Sequence, residues 1–576
     1  MVFYPPSFLP PLPTPPDNLT VEQFLTTETY GKRSLSTSRN PFTCGLSGKT
    51  FAPSEVVNRI DYLSRALGKR LKFDPREGTE WDRVVCVFSL NTIDYIPAVL
   101  ALHRLSGITT AASAAYGPDE LEHQLRTSGS KAVFTCVPLL ETALKAAKAA
   151  GIPEENVFIL PMAGFDKKVP NKDVDQLVEE GKALEKLKEV KFAKGQGARQ
   201  VAFLMYSSGT SGLPKAVMLT HHNVIANILQ ASGIETLPRA QFKIDTEVML
   251  GLLPFGHIFA LTLIGFLSVF RGDEVIVLPK FDFESLLKSI QEFKIQELRL
   301  VPPVLVQMAS AQEKCKQYDL SSVRCVFSGA APLGVELIED ITKLYPKWRI
   351  LQGYGMTECA PLAMCSLETD MLLGSSGCLV PGIKAKIIDA DGNEVTEYEK
   401  RGEILLQGPN VVAGYLNNEK ANAETFVWDE EGRWLKTGDE VLVRKAPNGT
   451  EHFFIVDRIK ELIKVKGYQV APAELEAHLL SHPMVDDCAV ISVPHPRSGE
   501  APKAFVVKAA KARDTDHEEL HKSIHKHVED HKPSYKWLKG GIEFLDVVPK
   551  SPSGKILRKI LREKEKEKRR AEGAKL

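Results

Sequence analysis

The 576-residue sequence lacks an excess of charge of either sign, because 73 Lys and Arg residues balance 73 Asp and Glu residues. A formal net charge of +0 gives no positive field that would attract nucleic acid, so nucleic-acid binding is disfavoured. The chain also lacks a CxxC pair, and its nine cysteines are scattered and odd in number. Neither a disulfide framework nor a zinc ribbon is therefore predicted, and a reducing compartment fits this cysteine usage.

The sequence also lacks an uninterrupted apolar segment. Prolines crowd residues 1–16, which excludes a signal-peptide core and an amphipathic transit helix and predicts an extended arm. The apolar stretch 252–270 has the length of a membrane span, but Pro254, Gly256 and His257 interrupt it and no second span accompanies it. We predict no membrane span and instead a buried helix that lines an apolar pocket.

The length exceeds what one hydrophobic core supports, so at least two domains are expected. Strand-like runs such as VVCVFSL and VAFLMY alternate with helical patterns such as IDYIPAVLALHRL, and no solenoid repeat is visible. This alternation predicts an α/β fold, with a large N-terminal domain at 1–457 in which helices cover both faces of the sheets. The remaining residues, 458–576, predict a small α+β domain with a few strands and two helices.

One motif points to zinc, but its surroundings do not. HEELH at 517–521 matches the HExxH pattern of zinc peptidases, and His525 follows at helical spacing. A catalytic zinc helix needs an apolar back, whereas the segment RDTDHEELHKSIHKHVEDHK is charged on nearly every face. We therefore predict a solvated helix and no zinc site in this motif.

A Walker loop is absent too, yet SSGTSGLPKAV at 207–217 is a second kind of candidate phosphate loop. It directly follows the apolar run VAFLMY, at the end of a predicted strand. Its hydroxyl groups and glycine N–H groups can converge on phosphate oxygens, while Lys215 neutralises charge. The residues that we assign to a polyphosphate are Ser207, Ser208, Gly209, Thr210, Ser211, Gly212 and Lys215.

Three further segments supply what a nucleotide needs. FSGAAPLG, at 327–334, ends a predicted strand in residues small enough to admit a flat base. QGYGMTE offers Tyr354 for stacking, the hydroxyl of Thr357, and the carboxylate of Glu358 as a ligand for Mg²⁺. In KTGDE, Asp439 could accept both ribose hydroxyls. Each segment alone could be an ordinary turn, but their occurrence together in this order is highly specific.

Together with GEILLQGP, DRIKELIKVKGYQVAPAELE and PKSPSGKILR, these segments make the sequence resemble the adenylate-forming superfamily of acyl- and aryl-CoA synthetases, luciferases and peptide-synthetase adenylation domains. Within it, the chain looks closest to coumarate-CoA ligase and to fungal phenylacetyl-CoA-ligase-like enzymes. The resemblance implies the adenylate-forming fold with a mobile small domain, and an acid–CoA ligase that uses ATP, Mg²⁺ and CoA. The acid would attack the α-phosphate to give acyl-AMP, and the CoA thiol would then displace AMP. Ala216 departs from the glycine that the family usually has there.

The resemblance also implies roles for single residues. Lys555 would bridge the carboxylate and the α-phosphate, Lys460 would be the hinge, and the KVKGYQ loop would enter the site after the small domain rotates. The implied catalytic residues are Lys555, His257, Lys464, Gln469, Thr210 and Glu358. Beyond the phosphate loop, the implied nucleotide and CoA residues are Gly329, Ala330, Ala331, Gln352, Gly353, Tyr354, Gly355, Thr357, Asp439, Arg458 and Gly467. The implied acid pocket comprises His257, Phe259, Leu263, Gly329, Gly355, Pro361 and Leu362.

The expected substrate follows from two pocket positions. Phe259 and Leu263 stand where the plant coumarate enzymes carry a tyrosine and a small polar residue. A pocket without hydroxyls would desolvate a phenol unpaired, so we expect an apolar acid, either phenylacetate- or cinnamate-like or medium-chain aliphatic. His257 would act as a gate at the thiol entrance, with acid–base help as the alternative. Two other functions stay open: another second step, either luciferase-like or transfer to a carrier, and a catalytically silent nucleotide- or acyl-binding protein.

The last three residues, Ala574-Lys575-Leu576, resemble the SKL peroxisomal address. We expect the charged stretch before them to remain exposed for a peroxisomal import receptor. The predicted location is therefore the peroxisome, with the cytoplasm as the alternative.

Overall fold

The computed structural model describes residues 1–165, 167–207, 214–512, 514–551 and 554–573, with side chains through residue 570. Outside the described residues lie two predicted features: the phosphate-loop residues Ser208, Gly209, Thr210, Ser211 and Gly212, and the tripeptide Ala574-Lys575-Leu576.

Two sheets with parallel cores form most of the large domain and confirm the predicted α/β class. Central strands such as Val84–Phe88 are buried along their whole length, because helices cover both faces of a parallel sheet. The first sheet contains, in spatial order, Gly414–Tyr415, Lys215–Thr220, Val201–Ser207, Ile108–Ala111, Val84–Phe88, Ala132–Thr135 and Val157–Ile159. The second contains Cys378–Leu379, Leu362–Cys365, Arg349–Gly355, Cys325–Ser328, Glu297–Leu300, Val248–Gly251, Glu274–Val277 and Phe42–Cys44.

A third, antiparallel sheet completes the large domain, and a fourth sheet forms the small one. The N-terminal arm is extended, as predicted, and its strand Val2–Phe3 pairs with the edge of the third sheet. The third sheet contains Val2–Phe3, Lys384–Ile388, Gly402–Gln407, Gly432–Lys445 and Phe426–Asp429, with Glu451–Arg458 paired to Gly432–Lys445. The fourth contains Tyr468–Val470, Ile463–Val465, Gly499–Lys508 and Val485–His495, with Ile542–Leu545 paired to Gly499–Lys508.

Helices follow the predicted alternation with strands. Those of the large domain are Val21–Thr26, Pro53–Leu71, Tyr95–Arg104, Pro118–Ser128, Leu140–Ala149, Val174–Lys182, Gln196–Arg199, His221–Gln241, Ile258–Ala260, Leu267–Arg271, Phe283–Phe293, Pro302–Ser310, Gln312–Cys315, Val335–Leu344 and Glu419–Thr425. Those of the small domain are Pro472–Leu480, His517–His531 and Arg558–Gly573. Short 3-10 turns occur at Leu35–Thr37, Glu80–Arg83, Val137–Leu139, Glu154–Asn156, Thr357–Cys359, Ala510–Ala512 and Ser534–Lys536.

The two domains have separate hydrophobic cores. The core of the large domain includes Phe453 near its C-terminal end, whereas the core of the small domain begins with Ile463. The predicted boundary between residues 457 and 458 falls one residue before the end of the strand Glu451–Arg458. The chain therefore passes from one core to the other within about ten residues.

Three expectations about the small domain are wrong. Its described residues form three helices rather than two, because the charged C-terminal run forms the helix Arg558–Gly573. This run is not wholly exposed, since Leu561 is buried and Glu565 pairs with Lys503 beneath it. The HEELH segment is amphipathic rather than charged all round. Its helix buries three apolar side chains at helical spacing, Leu520, Ile524 and Val528.

The apolar stretch 252–270 is buried in the large domain. It runs without helix to His257, then forms a helical turn at Ile258–Ala260, a π-helix at Leu261–Phe266 and an α-helix at Leu267–Arg271. Among the described residues, no helix combines the length and apolarity needed to cross a membrane.

Candidate active site

The two described ends of the predicted phosphate loop lie side by side. Strand Val201–Ser207 is paired antiparallel with Lys215–Thr220, so Ser207 and Lys215 are cross-strand partners. Thr220 ends the second strand and caps the following helix, because its hydroxyl accepts a hydrogen bond of 3.2 Å from the N–H of Asn223. The loop thus starts and ends on two adjacent, paired strands of the first sheet.

The predicted magnesium ligand Glu358 is buried and held by a tyrosine. The hydroxyl of Tyr415 donates a hydrogen bond of 2.8 Å to Oε1 of the Glu358 carboxylate. Burial and this carboxylate raise the pKa of Tyr415, so its hydroxyl keeps the proton. The Nζ of Lys215 lies 4.8 Å from the centre of the same ring. Sequence reasoning missed Tyr415, because the two-residue strand Gly414–Tyr415 carries no motif that would mark it.

The predicted ribose residues lie together. Asp439 and Arg458 are cross-strand partners, with 3.7 Å between the carboxylate and the guanidinium. The hydroxyl of Tyr354 donates a hydrogen bond of 2.6 Å to the other oxygen of Asp439. Burial raises the pKa of Asp439, and the charge of Arg458 opposes that effect. The site therefore holds an acceptor carboxylate whose position is fixed by two neighbours.

Small residues bring the backbone segments of the site into close contact. A Cβ at position 355 would lie 2.1 Å from the carbonyl oxygen of Pro361, so only glycine fits there. A Cβ at position 353 would lie 2.3 Å from the ring of Phe327. The side chain of Gln352 accepts a hydrogen bond of 3.1 Å from the N–H of Leu333 and so ties the strand end to the SGAAPLG loop.

That loop, which the sequence predicts to contact adenine, contains a residue in the left-handed region. Ala330 has a φ of +69°, which is left-handed and costly for a residue with a side chain, and it lies exposed in the loop. Gly329 is buried and Ala331 is half-buried on either side. Thr357 is half-buried at the start of the 3-10 turn that carries Glu358.

The predicted acid pocket adjoins this loop. The rings of Phe259 and Phe327 lie 6.0 Å apart, and a Cβ on Gly329 would be 3.2 Å from the Phe259 ring. Leu263 is buried in the π-helix, and its carbonyl accepts a hydrogen bond of 2.8 Å from the buried guanidinium of Arg299. Leu362 is buried as well and pairs with Gly355 across the sheet.

Behind these residues lies a network of buried charges. Arg299 is 1% exposed and forms ion pairs of 2.8 Å with both Glu297 and Glu235.

A buried polar group also lies near the pocket. The hydroxyl of Ser328, next to Gly329, is buried and has no hydrogen-bond partner among the described atoms. Sequence reasoning missed both Arg299 and Ser328, because neither lies in a position that the motifs mark.

His257 occupies the entrance to the π-helix segment. Its Nδ1 accepts a hydrogen bond of 3.3 Å from the N–H of Phe259 and so caps the first helical turn. Burial lowers the pKa of His257 to about 4, and the positive charge of Lys555 contributes. The imidazole is therefore neutral at physiological pH.

The small domain brings Lys555 into this site. Gly554 has a φ of +81°, and a Cβ there would be 3.0 Å from the side chain of Val301 in the large domain. Burial and repulsion from Arg458 lower the pKa of Lys555 to about 8, while attraction to Asp439 and Glu358 opposes that shift. The charges of the predicted ribose and magnesium residues thus act on the ammonium group of Lys555.

The other predicted small-domain residues lie elsewhere in this arrangement. Lys464 and Gln469 are exposed cross-strand partners in a hairpin, and Gly467, with a φ of +85°, forms its turn. Lys460 is exposed in the turn that follows Arg458. The structure does not bring these residues together with Lys555, so their roles stay predictions.

Comparison with known proteins identifies the family. The family model for the AMP-binding enzyme matches residues 55–416, and that for the AMP-binding enzyme C-terminal domain matches residues 474–555. The acyl-CoA ligases AFT1-1 and AKT1 of Alternaria alternata are each 38% identical to this chain, and each match covers 98% of this chain and 97% of the relative. The acyl-CoA ligase easD of Emericella nidulans is 37% identical, with 98% and 100% covered.

Solved structures share the fold. The anthranilate CoA ligase AuaEII in complex with anthranoyl-AMP matches with a TM-score of 0.78 at 22% identity, covering 95% of this chain and 97% of its own. A benzoate CoA ligase from Burkholderia xenovorans LB400 matches with a TM-score of 0.76 at 20% identity, covering 94% and 100%. The resemblance to the adenylate-forming superfamily is thereby confirmed. The chain belongs to the AMP-binding enzyme family and is an AMP-forming acid–CoA ligase.

Proposed function

We propose that this ligase activates an apolar carboxylic acid with Mg²⁺ and ATP and transfers the acyl group to CoA. The acid is an aryl acid such as phenylacetate or cinnamate, or a medium-chain fatty acid, as in coumarate-CoA-ligase-like enzymes. The observation that carries this proposal is the contact of Gly554 with Val301 of the large domain, which brings the adjacent Lys555 within the electrostatic influence of Asp439 and Glu358. The pocket walled by Phe259 adjoins the SGAAPLG loop.

The first step needs charge stabilisation more than covalent help. A carboxylate and a triphosphate repel each other, and a free carboxylate cannot acylate a thiol because oxide is too poor a leaving group. Lys555 provides a positive charge that can face both the acid carboxylate and the α-phosphate. Attack of the carboxylate oxygen on the α-phosphorus forms the acyl–phosphate bond and breaks the bond to pyrophosphate. Asp439 would hold the ribose hydroxyls so that this phosphorus lies in line.

Glu358 fits the role of magnesium ligand. Only its Oε1 is held by Tyr415, so Oε2 can serve as the hard oxygen ligand that Mg²⁺ prefers. When bound, Mg²⁺ would neutralise charge on the triphosphate. Tyr415 would fix the orientation of the carboxylate before the nucleotide arrives.

The second step requires a different arrangement of the small domain. We include in the proposal a rotation about Lys460 that withdraws Lys555 and brings in the hairpin of Lys464, Gln469 and Gly467. The CoA thiolate sulfur would then attack the acyl carbon, and AMP would leave. The lowered pKa of His257 supports a neutral gate at the thiol entrance, with acid–base help as the alternative.

A pyrophosphate-release screen over a panel of carboxylic acids, with and without CoA, tests the function. We expect release with apolar acids, its loss when EDTA removes Mg²⁺, and acyl-CoA detectable by mass spectrometry when CoA is present. Pyrophosphate release without any thioester would indicate another second step. A failure of every acid to release pyrophosphate would support a silent binding protein.

Peroxisomal location is a separate proposal that rests on Ala574-Lys575-Leu576 alone. A fluorescent protein fused to the N-terminus should co-localise with a peroxisomal marker in a fungal host. Substitution of Leu576→Ser should release it into the cytoplasm if the import receptor reads the tripeptide. A diffuse signal from both forms would refute this location.

A further inference from the structure

Four histidines gather between two helices of the small domain. His478 lies in Pro472–Leu480 and His482 two residues after it, while His527 and His531 lie in the last part of His517–His531. The rings of His478 and His527 are stacked, with centres 4.3 Å apart and planes at 8°. The sequence does not reveal this cluster, because its two halves are 49 residues apart.

Three of these histidines have the spacing of a metal site. One ring nitrogen from each of His478, His527 and His531 lies within 4.8 Å of the other two. In the described part of the chain, no other set of three or more His, Cys, Asp or Glu side chains meets that spacing. The adenylation site does not involve this cluster, so the ligase mechanism leaves it without a role.

Backbone carbonyls fix the protonation of all three rings. The Nε2 of His478 donates to the carbonyl of His527 at 3.1 Å, and the Nε2 of His527 donates to the carbonyl of His478 at 3.2 Å. The Nδ1 of His531 also donates to the carbonyl of His527, at 2.8 Å. Because a carbonyl only accepts, the other nitrogen of each ring carries a lone pair. Metal-binding histidines usually donate their second nitrogen in this way.

Metal binding requires these side chains to move, because a bond of about 2.0–2.1 Å to each nitrogen brings the ligand atoms nearer to one another than 4.8 Å. An imidazole binds a metal in its ring plane, so one of the stacked rings of His478 and His527 must turn out of the parallel arrangement, and the exposed His531 must turn inward from the His527 carbonyl. Three imidazoles would leave one position of a tetrahedral ion open. His482 does not complete the set. Its Nε2 contacts the hydroxyl of Ser523 at 3.1 Å, and its Nδ1 accepts from the N–H of Met484 at 3.2 Å.

We propose that His478, His527 and His531 bind a transition-metal cation of the Zn²⁺ type through three imidazole nitrogens. Imidazole suits Zn²⁺, Ni²⁺ and Cu²⁺, whereas Mg²⁺ and Ca²⁺ require oxygen ligands. The ion would clamp the helix Pro472–Leu480 onto His517–His531. The first of these helices also faces the large domain, where a Cβ on Gly334 would be 3.1 Å from the Cβ of Ala477. Metal binding would therefore stiffen the side of the small domain that docks in the adenylation arrangement.

The same helix supplies a matched control. His521 and His525, of the HEELH segment and its extension, have ring centres 4.6 Å apart, and His517 packs edge-on against Phe544. These side chains carry the sequence motif for zinc but belong to no three-residue group in the described structure. A double variant, His521→Gln with His525→Gln, removes two imidazoles. The cluster likewise has two histidines that are not fully buried, His527 and His531.

Untagged full-length protein, freed of metal with EDTA and dialysed, should be titrated calorimetrically with ZnCl₂, and its Tm should be followed with and without the metal. We expect one saturable equivalent and a rise in Tm, with no rise in MgCl₂. His531→Gln, at an exposed position, and His527→Gln should each weaken Zn²⁺ binding by at least about tenfold. The control double variant should bind as the wild type does.

Three results would overturn the proposal: no saturable binding by the wild type, full binding by His531→Gln, or loss of binding in the control double variant. The last would assign the metal to the motif instead. Pyrophosphate release by each variant shows that it is folded, because none of these histidines touches the adenylation site.

Discussion

The hydroxyl of Tyr415 donates a hydrogen bond of 2.8 Å to the carboxylate of Glu358. Lys215 lies over the same tyrosine ring, so one aromatic side chain connects the end of the phosphate loop with the predicted magnesium ligand. An attraction between a cation and a ring face needs the ring, whereas the orientation of Glu358 needs the hydroxyl.

Tyr415→Phe should therefore separate these two contributions. A hydrogen bond to a charged group contributes about 1.5–3 kcal/mol, so we expect kcat/KM for ATP in pyrophosphate release to fall about 10- to 100-fold, with a higher Mg²⁺ requirement. Tyr206→Phe is the matched control, because its hydroxyl contacts Thr127 at 2.6 Å and no carboxylate. An equal loss in both variants would mean that Tyr415 acts only by packing.

Lys555→Ala should abolish acyl-AMP formation and leave thioester formation from supplied acyl-AMP nearly intact. The reason is that the charges of Asp439, Glu358 and Arg458 act on Lys555 in the arrangement described, and the proposed rotation removes it for the second step. Each half-reaction should be measured alone, by pyrophosphate release and by CoA consumption. Equal loss in both would contradict the two arrangements.

Substitutions in the hairpin of Lys464 and Gln469 should impair the second step, whereas Lys555→Ala impairs the first. Lys464→Ala or Gln469→Ala should mainly slow CoA consumption, because both side chains are exposed and outside the adenylation site here. Loss of pyrophosphate release alone would show that the hairpin has been placed in the wrong step.

The pH dependence of adenylation should report Lys555. Its pKa is lowered to about 8, so the ammonium group loses its charge, and its use to the reaction, as the pH rises through that value. We expect kcat/KM for pyrophosphate release to decline above about pH 8. In Lys555→Arg the guanidinium stays charged, so this decline should move to higher pH even if the maximal rate is lower. If kcat/KM of Lys555→Arg declines at the same pH as that of the wild type, a group other than Lys555 causes the decline.

The acid pocket should prefer an unsubstituted acid over its para-hydroxylated partner. Burying an unpaired hydroxyl costs about 1–3 kcal/mol, so cinnamate over coumarate, and phenylacetate over its para-hydroxy analogue, should differ by about tenfold or more in kcat/KM. Phe259→Tyr should narrow the gap by offering a partner. If the wild type favours the hydroxylated acids, Ser328→Ala should be tested next, because the buried hydroxyl of Ser328 has no partner among the described atoms.

The sequence predicts the large domain well because its signals are local. A strand such as Val201–Ser207 is buried through most of its length and so appears as an apolar run, and glycines such as Gly355 mark close backbone contacts directly. The contacts of Tyr415 and Arg299 depend on residues far away in sequence, Glu358 for the first and Glu235 for the second. No local pattern encodes such pairs.

The small domain is harder to predict, because its buried apolar residues lie singly within runs of charged residues. Long runs of Lys and Glu indicate solvent exposure, yet a single buried position per helical turn is enough to pack a helix, as Ile524 does in one helix and Leu561 in another. The histidine cluster was missed for a related reason. The HExxH pattern draws attention to His521, whereas His527 is the residue that meets the neighbouring helix.

The π-helix at Leu261–Phe266 allows the shape of the acid pocket, and with it the range of substrates, to change through deletion of one residue. A π turn holds one residue more than an α turn, so deletion of a single residue could restore regular winding without moving either flanking segment. Such a deletion would therefore keep the side chains of both flanking segments in place and change only the side chains and carbonyls of the π turn itself. It would also remove the carbonyl position that Arg299 now binds. A length change of one codon in the gene would thus alter the pocket wall within this one turn.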